Sequence, residues 1–481
     1  MSESRKAEAV TPRPQLFTSG RDVLILATIM VGMFLAPLDG SIVNIALPRI
    51  ASDLRASIAE VSWVANAYLL TNASLILTMG RLGDVKGLRR VYTIGFAVFG
   101  IGSLACALAP TLAVLVAARV VQAVGASMFF ATGPAIVAEA FPAQRRGRAI
   151  GIVTLAVSAG LMAGPPLGGF LIGAFGWPSI FLVNVPLVLF AIALSRRVLP
   201  VGEPHPAPFD LLGSALAAAT LLGLLMSLST GSQRGWDTLT FALMGVATVS
   251  GAIFVRHELR HPHPMLDLRM LADWPLASSV AGPVVNYMAM FSASFLMPFF
   301  LLRIQGMDEA AAGIVLLASP ASMAVFSPIA GRLADRLPNR RLGMLGLVGV
   351  AAGLVAISLL PADASVWSVA GSLALLGGGI SVFGVPNTNL ILTLVPRAHR
   401  GVGSALVGAG RTVGMSFGIA LASAVVMSRI AGSDMLSRAA PLTSSEAQLL
   451  LGAVSAAARA GAVAALIGAV IVYSGGGKDP V

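Results

Sequence analysis

The chain has 481 residues, of which 56% are hydrophobic and only 11% charged, with a net charge of +11. A soluble domain carries about 25% charged residues; here apolar stretches recur through the whole length, so no polar shell exists to dissolve the chain, and the bilayer is the solvent that fits. The one cysteine, Cys106, excludes a disulfide framework or a cysteine metal site and reads as a small core hydrophobe.

The polar tail Met1–Arg21 is followed by an apolar run, Val23 to Leu47, that is too long for a signal peptide and reads as a retained span. A spanning helix needs roughly 20 mostly apolar residues. By that rule the chain holds fourteen, at 22–47, 60–80, 91–109, 111–139, 149–174, 179–199, 210–228, 239–256, 275–302, 310–331, 342–360, 366–394, 401–427 and 450–473. With the N-terminus placed in the cytoplasm, 23 of the 32 Lys and Arg fall on the inner side, six outside and three within spans. This bias puts both termini in the cytoplasm. It also accounts for the positive charge without nucleic acid, because anionic lipid headgroups attract basic loops.

Span 1 carries Asp39, the one carboxylate deep in any span. A buried acid in lipid is costly unless protonated or paired, and is a functional candidate by default. Its natural partner is Arg119 on span 4. Both lie roughly 12–14 Å below the outer surface at 1.5 Å per residue, and Gln122 lies one turn further on. The segment Gly80 to Arg90 reads as the loop between spans 2 and 3. Gly80 and Gly87 permit a tight turn and close helix approach, and Arg89 and Arg90 follow the positive-inside rule. Asp84 favours the positive end of span 3, or binds a basic side chain of a neighbouring helix as a latch that opens and closes.

Gly160, Gly164, Pro165, Gly168 and Gly169 lie inside span 5. Glycine at every fourth position invites close helix packing, and the prolines are expected to bend the helix. Candidate lining for a pliable apolar cavity is Met33, Phe34, Tyr68, Met128, Phe129, Phe130, Asn286, Tyr287, Met290 and Phe291. Arg411, deep in span 13, is expected to bind helix-end carbonyls or Asn387 and Asn389. The linkers Pro200 to Pro208 and His257 to Pro275 flank spans 7 and 8. No metal is expected at His257, His261 and His263, since Pro262 and Pro264 break the helix that would align them.

Gly331-Arg332-Leu333-Ala334-Asp335-Arg336 echoes the segment starting at Gly80, 251 residues earlier, and Pro396…Arg400-Gly401 echoes Pro142…Arg146-Gly147, 254 residues earlier. Two similar halves with a site between them is a transporter plan. The organisation expected is therefore all-α and polytopic: tail 1–21, six-helix bundle 22–199, linkers and two inserted helices at 200–274, six-helix bundle 275–473, and tail 474–481. There is no Gly-rich phosphate loop of the GxxxxGK[ST] type, which argues against an ATP-driven pump.

Five segments resemble the fourteen-span drug:proton antiporter family of the major facilitator superfamily. They are Leu38 to Pro48; the 80–90 segment, matching at Gly80, Leu82, Asp84, Gly87, Arg89 and Arg90 but departing at Val85 and Leu88; Arg119 to Gly125, with Ala123 where glycine is usual; 160–169 in full; and Trp177 to Pro186, with Pro178 in place of the usual arginine. The resemblance implies a proton-coupled exporter in a bacterial inner membrane, with Asp39 and Arg119 in proton coupling and the 80–90 segment as gate. It implies no enzyme activity and no cofactor, the proton gradient being the energy source. The partners expected are protons, membrane lipids and a lipophilic neutral or monovalent cationic small molecule; a monomer is compatible with the sequence, which leaves the oligomeric state open. The alternatives are a same-fold exporter of a metabolite, lipid or antibiotic, and a non-transporting sensor.

Overall fold

A computed structural model describes residues 19–201, 208–234, 237–430 and 443–476. Most of the tails read at 1–21 and 474–481 lie outside the described residues. Among the described residues there is no strand. Fourteen long helices are numbered here α1 (Gly20–Asp53), α2 (Ile58–Lys86), α3 (Leu88–Ala107), α4 (Leu112–Ala140), α5 (Ala143–Phe175), α6 (Ser179–Val198), α7 (Leu211–Arg234), α8 (Thr238–Glu258), α9 (Trp274–Ile304), α10 (Ala311–Ala334), α11 (Asn339–Ser358), α12 (Val366–Leu394), α13 (Arg400–Ile430) and α14 (Ser444–Ser474). All but α2 are long and apolar enough to cross a membrane. Asn66, Asn72, Arg81 and Asp84 dilute the apolar character of α2, which packs against α4 and α13.

Local chemistry sets the helix ends. Ser57 with Glu60, and Thr443 with Glu446, form reciprocal capping boxes at the starts of α2 and α14. The segment from Gly80 to Arg90 is not the loop its composition implied. Helix α2 runs on to Lys86 and α3 begins at Leu88, leaving Gly87 as the whole turn. Gly87 has φ +94°, a left-handed conformation that an L side chain rarely adopts. Gly80, by contrast, sits inside the helix and serves close packing: a Cβ there would fall 3.0 Å from the Gly401 carbonyl carbon.

Lipid tails are as apolar as leucine, so helices in a membrane associate through close packing and polar contacts more than by escaping solvent. Small residues hence mark the seams. In the first half α1 packs along α5, and α4 along α2 and α3; in the second half α9 packs along α13, and α12 along α10 and α11. The halves meet where α5 crosses α10 and where α13 crosses α2 and α4. At the arginine-rich end one apolar core crosses the divide, joining Ala149 and Ile150 of α5 to Ala330, Val402 and Ala405. At the opposite end the cores are separate, one around Val64, Leu115 and Trp177 and the other around Leu301, Leu373 and Leu450. The molecule is therefore closed at its basic end. Of the inserted helices, α7 leans on both α2 and α13, while α8 packs on α7.

Candidate coupling site and gate

Asp39 is fully buried in α1, against Arg119 and Gln122 of α4. Arg119 Nη1 donates to Asp39 Oδ2 and, at 2.5 Å, to Gln122 Oε1; its Nε donates to the Val64 carbonyl at 2.9 Å. The other carboxylate oxygen accepts from Gln122 Nε2 at 2.8 Å and from Asn184 Nδ2 at 3.1 Å. Ser103 Oγ closes the network, 2.7 Å from Gln122 Nε2 and 3.3 Å from Asn184 Nδ2. The guanidinium lies over the Tyr68 ring, 4.2 Å from its centroid, with the Phe181 ring at 5.7 Å. Each carboxylate oxygen thus faces donors, and Arg119 supplies the counter-charge. Protonation would remove the charge that holds Arg119 and set an O–H against groups that have hydrogens of their own to donate.

The second cluster lies at the basic end. Asp84 accepts the backbone N–H groups of Gly401 at 2.6 Å and Val402 at 3.0 Å. It therefore caps the start of α13 in the other half, neither the start of α3 nor a basic side chain, as its sequence position had implied. Four N–H groups at a helix start lack partners within the helix, and a carboxylate there also meets the positive end of the dipole. Asp335 reaches the first turns of α5 from the other side: its Oδ2 pairs with Arg148 Nε at 3.2 Å, and its Oδ1 lies against Gly147. Burial pushes the Asp335 carboxyl up to about 6, against the pull of Arg148. Arg146 donates to Thr393 Oγ1 at 3.1 Å, and Arg400 to the Ala138 carbonyl at 3.0 Å, adding further ties between halves.

Between the halves lies a small cleft of about 60 Å³, lined among others by Thr154, Tyr287, Met323, Phe383, Asn387 and Val407. Arg411 reaches across to lie 4.3 Å from the centroid of Phe130, with Tyr287 at 6.0 Å. A cation over an aromatic face is worth about 0.5–2 kcal/mol, and this replaces the carbonyl or asparagine contacts expected for it. Asn387 instead donates to the Ser279 carbonyl at 3.0 Å, and its Oδ1 is buried without a partner.

The family model described as Major Facilitator Superfamily matches residues 29–257 and 280–431. The chain belongs to the major facilitator superfamily. Among relatives of this facilitator, the riboflavin transporter RibZ of Clostridioides difficile is 34% identical, the match covering 83% of this chain and 87% of RibZ. Multidrug resistance protein Stp of Mycobacterium tuberculosis is 33% identical over 84% of this chain and 76% of its own. The tetracenomycin C resistance and export protein of Streptomyces glaucescens is 31% identical over 85% and 77%. The human organic anion transporter MFSD10 shares the fold, with a TM-score of 0.68 at 14% identity over 94% of this chain and all of that one.

Within this facilitator the proposed cavity lining divides. Tyr287 lines the cleft. Phe129 does not: with Tyr92, Phe96 and Phe99 it forms an aromatic cluster in the first half, and Met33 is buried in the same core. Tyr68 and Gln122 belong to the Asp39 network. Met128 is buried against Gly95, Phe130 carries Arg411, and Met290 packs on the outer core of the second half. Phe34 and Phe291 are half-buried. Asn286 is buried with neither amide atom partnered. In the gate segment Arg89 donates to the Arg196 carbonyl within its own half, and Arg90 is exposed. Two members of the Asp39 network, Ser103 and Asn184, escaped sequence reading of their role. The signal for Asn184 was an amide in the apolar run after Trp177.

The Asp84 geometry carries a prediction. In Asp84→Asn one carbonyl oxygen remains to accept, so Gly401 and Val402 cannot both be served by acceptors, and the amide hydrogens face N–H donors. The basic end should close less often, with slower cycling and near-normal substrate affinity. Cross-linking of cysteines placed across Arg81 and His399, whose side chains lie 3.4 Å apart, measures it. An unchanged cross-linking yield with lost affinity would count against a latch.

Proposed function

We propose that this membrane protein is a proton-coupled exporter of lipophilic compounds, neutral or monovalent cationic, working by alternating access from a bacterial plasma membrane with both termini cytoplasmic. The observation that carries the reading is the buried Asp39 carboxylate, held on every side by donors and paired to the equally buried Arg119. Protonation of Asp39 from the open end weakens its hold on Arg119. Loss of that clamp lets the two halves rock about the cleft, and the Asp84 and Asp335 latches release the basic end. Cargo entering from the cytoplasm then favours the deprotonated state. The drug-resistance relatives support export; the basic end, closed here, is on this reading the cytoplasmic gate.

An efflux panel in a pump-deficient host, run with and without a protonophore, tests it. Compounds exported by the intact cells should accumulate once the gradient collapses; export that persists undiminished would overturn the coupling. A second reading, export of a planar metabolite, is favoured by Arg411 and by the unpartnered Asn387 oxygen at the cleft. RibZ, whose name gives riboflavin, makes flavins a sensible member of the panel.

The charge pattern also supports an upper limit on cargo charge. Asp39 is buried against Arg119 and does not line the cleft, and the Arg411 guanidinium stands 6.0 Å from the ring of Tyr287, which does. A divalent cation gains most from two acids within reach of one another, which the cleft does not offer among the described residues. Apolar burial, at about 25 cal/mol per Å², has to supply the binding. Of matched quaternary ammonium dyes, the monovalent one should be exported well and the divalent one poorly. Equal export of the two would refute the argument.

A further inference from the structure

The sequence reading gave no metal to His257, His261 and His263, and the structure differs for two of the three. The His261 N–H donates to the His257 carbonyl at 2.8 Å, so the last turn of α8 continues to His261 before Pro262 stops it. The two imidazoles therefore stand one turn apart on one face, with ring centroids 4.9 Å apart. His257-Glu258-Leu259-Arg260-His261 has the His-Glu-x-x-His spacing, which on a helix aims two imidazoles at one point and sets a carboxylate beside them.

A third group comes from the other inserted helix. Asp210 stands just before α7, where its Oδ1 accepts the Gly213 N–H at 2.7 Å. Its two oxygens lie 3.0 and 2.9 Å from His257 Nε2, and Oδ2 is 3.9 Å from His261 Nδ1. One atom from each of the three side chains falls within 4.8 Å of the others. An independent feature points into the same space. Glu258 is 3% exposed; its Oε2 accepts the Leu266 N–H at 3.0 Å, but its Oε1 is buried with no hydrogen-bond partner. That Oε1 and Asp210 Oδ2 both lie against the spot where a side chain on Gly213 would begin. Two buried carboxylates turned toward one another, one of them unsatisfied, call for a positive partner.

We propose that Asp210, His257 and His261 bind a divalent transition metal of the zinc type, with Glu258 Oε1 accepting a hydrogen bond from a water in the remaining position. Two imidazoles and a carboxylate select zinc or cobalt over magnesium or calcium, which take oxygen ligands. The His257 and His261 side chains are 20% and 30% exposed, which leaves a path for the ion. Binding costs two contacts: His261 Nδ1 gives up the His263 N–H it now accepts at 3.2 Å, and the hydrogen bond between His257 Nε2 and Asp210 gives way to a bond from each to the ion. The ion would staple the start of α7 to the end of α8, and α7 touches both halves of the transporter.

The test is zinc binding to the full-length protein, purified without a polyhistidine tag and stripped with a chelator. One zinc ion per chain is expected, with a rise in melting temperature, and it is displaced by a large excess of cobalt but not by the same excess of magnesium. His257→Ala and His261→Ala should each weaken binding by at least about tenfold, by removing a direct ligand where even second-shell changes cost about that much. His263→Ala should change nothing. No zinc uptake by the stripped wild type overturns the site, as does a folded His257→Ala/His261→Ala double variant that binds like wild type. A loss in His263→Ala equal to that in His261→Ala would overturn it too. None of these readouts depends on transport.

Discussion

Asp39→Asn is expected to reduce uphill efflux to background while the protein still inserts and purifies. The substitution keeps the size of the side chain and removes its charge and one acceptor. Asp39 now receives from Arg119 on one oxygen and from Gln122 and Asn184 on the other. An asparagine can turn its carbonyl toward only one of these sets, and its own N–H₂ then faces donors. Arg119 is left buried without a counter-charge, a loss that in soluble proteins costs about 3–5 kcal/mol. The guanidinium retains Val64, Gln122 and the Tyr68 face, so the site should loosen without emptying and the melting temperature should fall without loss of the fold. What disappears is the ability to alternate between a clamped ion pair and a released one. Uphill export and its pH dependence, measured in vesicles with an imposed proton gradient, decide the matter. A variant that still exports uphill with the wild-type pH profile would make the pair purely structural.

Much of this was legible in the residue order, for identifiable reasons. Span number follows from apolar length, and a lone carboxylate in lipid demands a partner, so Asp39 could be matched to Arg119 by depth alone. The echo of Gly80–Asp84 at Gly331–Asp335 marked the two halves. It could not show that each aspartate reaches the opposite half, because that contact joins residues far apart in the chain. The 80–90 segment looked like a loop because charge and glycine normally mark one. Here helix α2 carries both, shielded between α4 and α13. Phe129 and Met33 were misplaced for a related reason: in a membrane protein apolar residues face lipid, core and cavity alike, so composition does not say which. His257 and His261 were dismissed on account of prolines that lie beyond the turn that aligns them.

Gly164→Leu is expected to block transport, and Gly169→Leu, five residues on, is expected to be tolerated. Helix α5 packs along α1 through its glycine face. A Cβ at Gly164 would sit 2.7 Å from Ser41 Cβ and 3.1 Å from the Ile42 nitrogen. At Gly160 it would sit 3.2 Å from the Leu38 nitrogen, and at Gly168 2.8 Å from Ile42 Cγ1. Several of these obstacles are backbone, which cannot turn aside as a flexible side chain can. Leucine would have to push α1 away from α5, an overpacking that typically costs 1–3 kcal/mol or more in a dense core. The displaced helix is the one that carries Asp39, within a turn of Leu38 and Ser41, so the shift reaches the Arg119 pair directly. Gly169 and the neighbouring Pro165 and Pro166 are exposed, with open space where a Gly169 side chain would begin. Helix α5 is continuous through both prolines, and the close glycine seam is what this segment contributes. Efflux by the two leucine variants, normalised to the amount inserted, separates the faces. Full activity in Gly164→Leu, or equal loss in both, would show that the glycine seam does not govern transport.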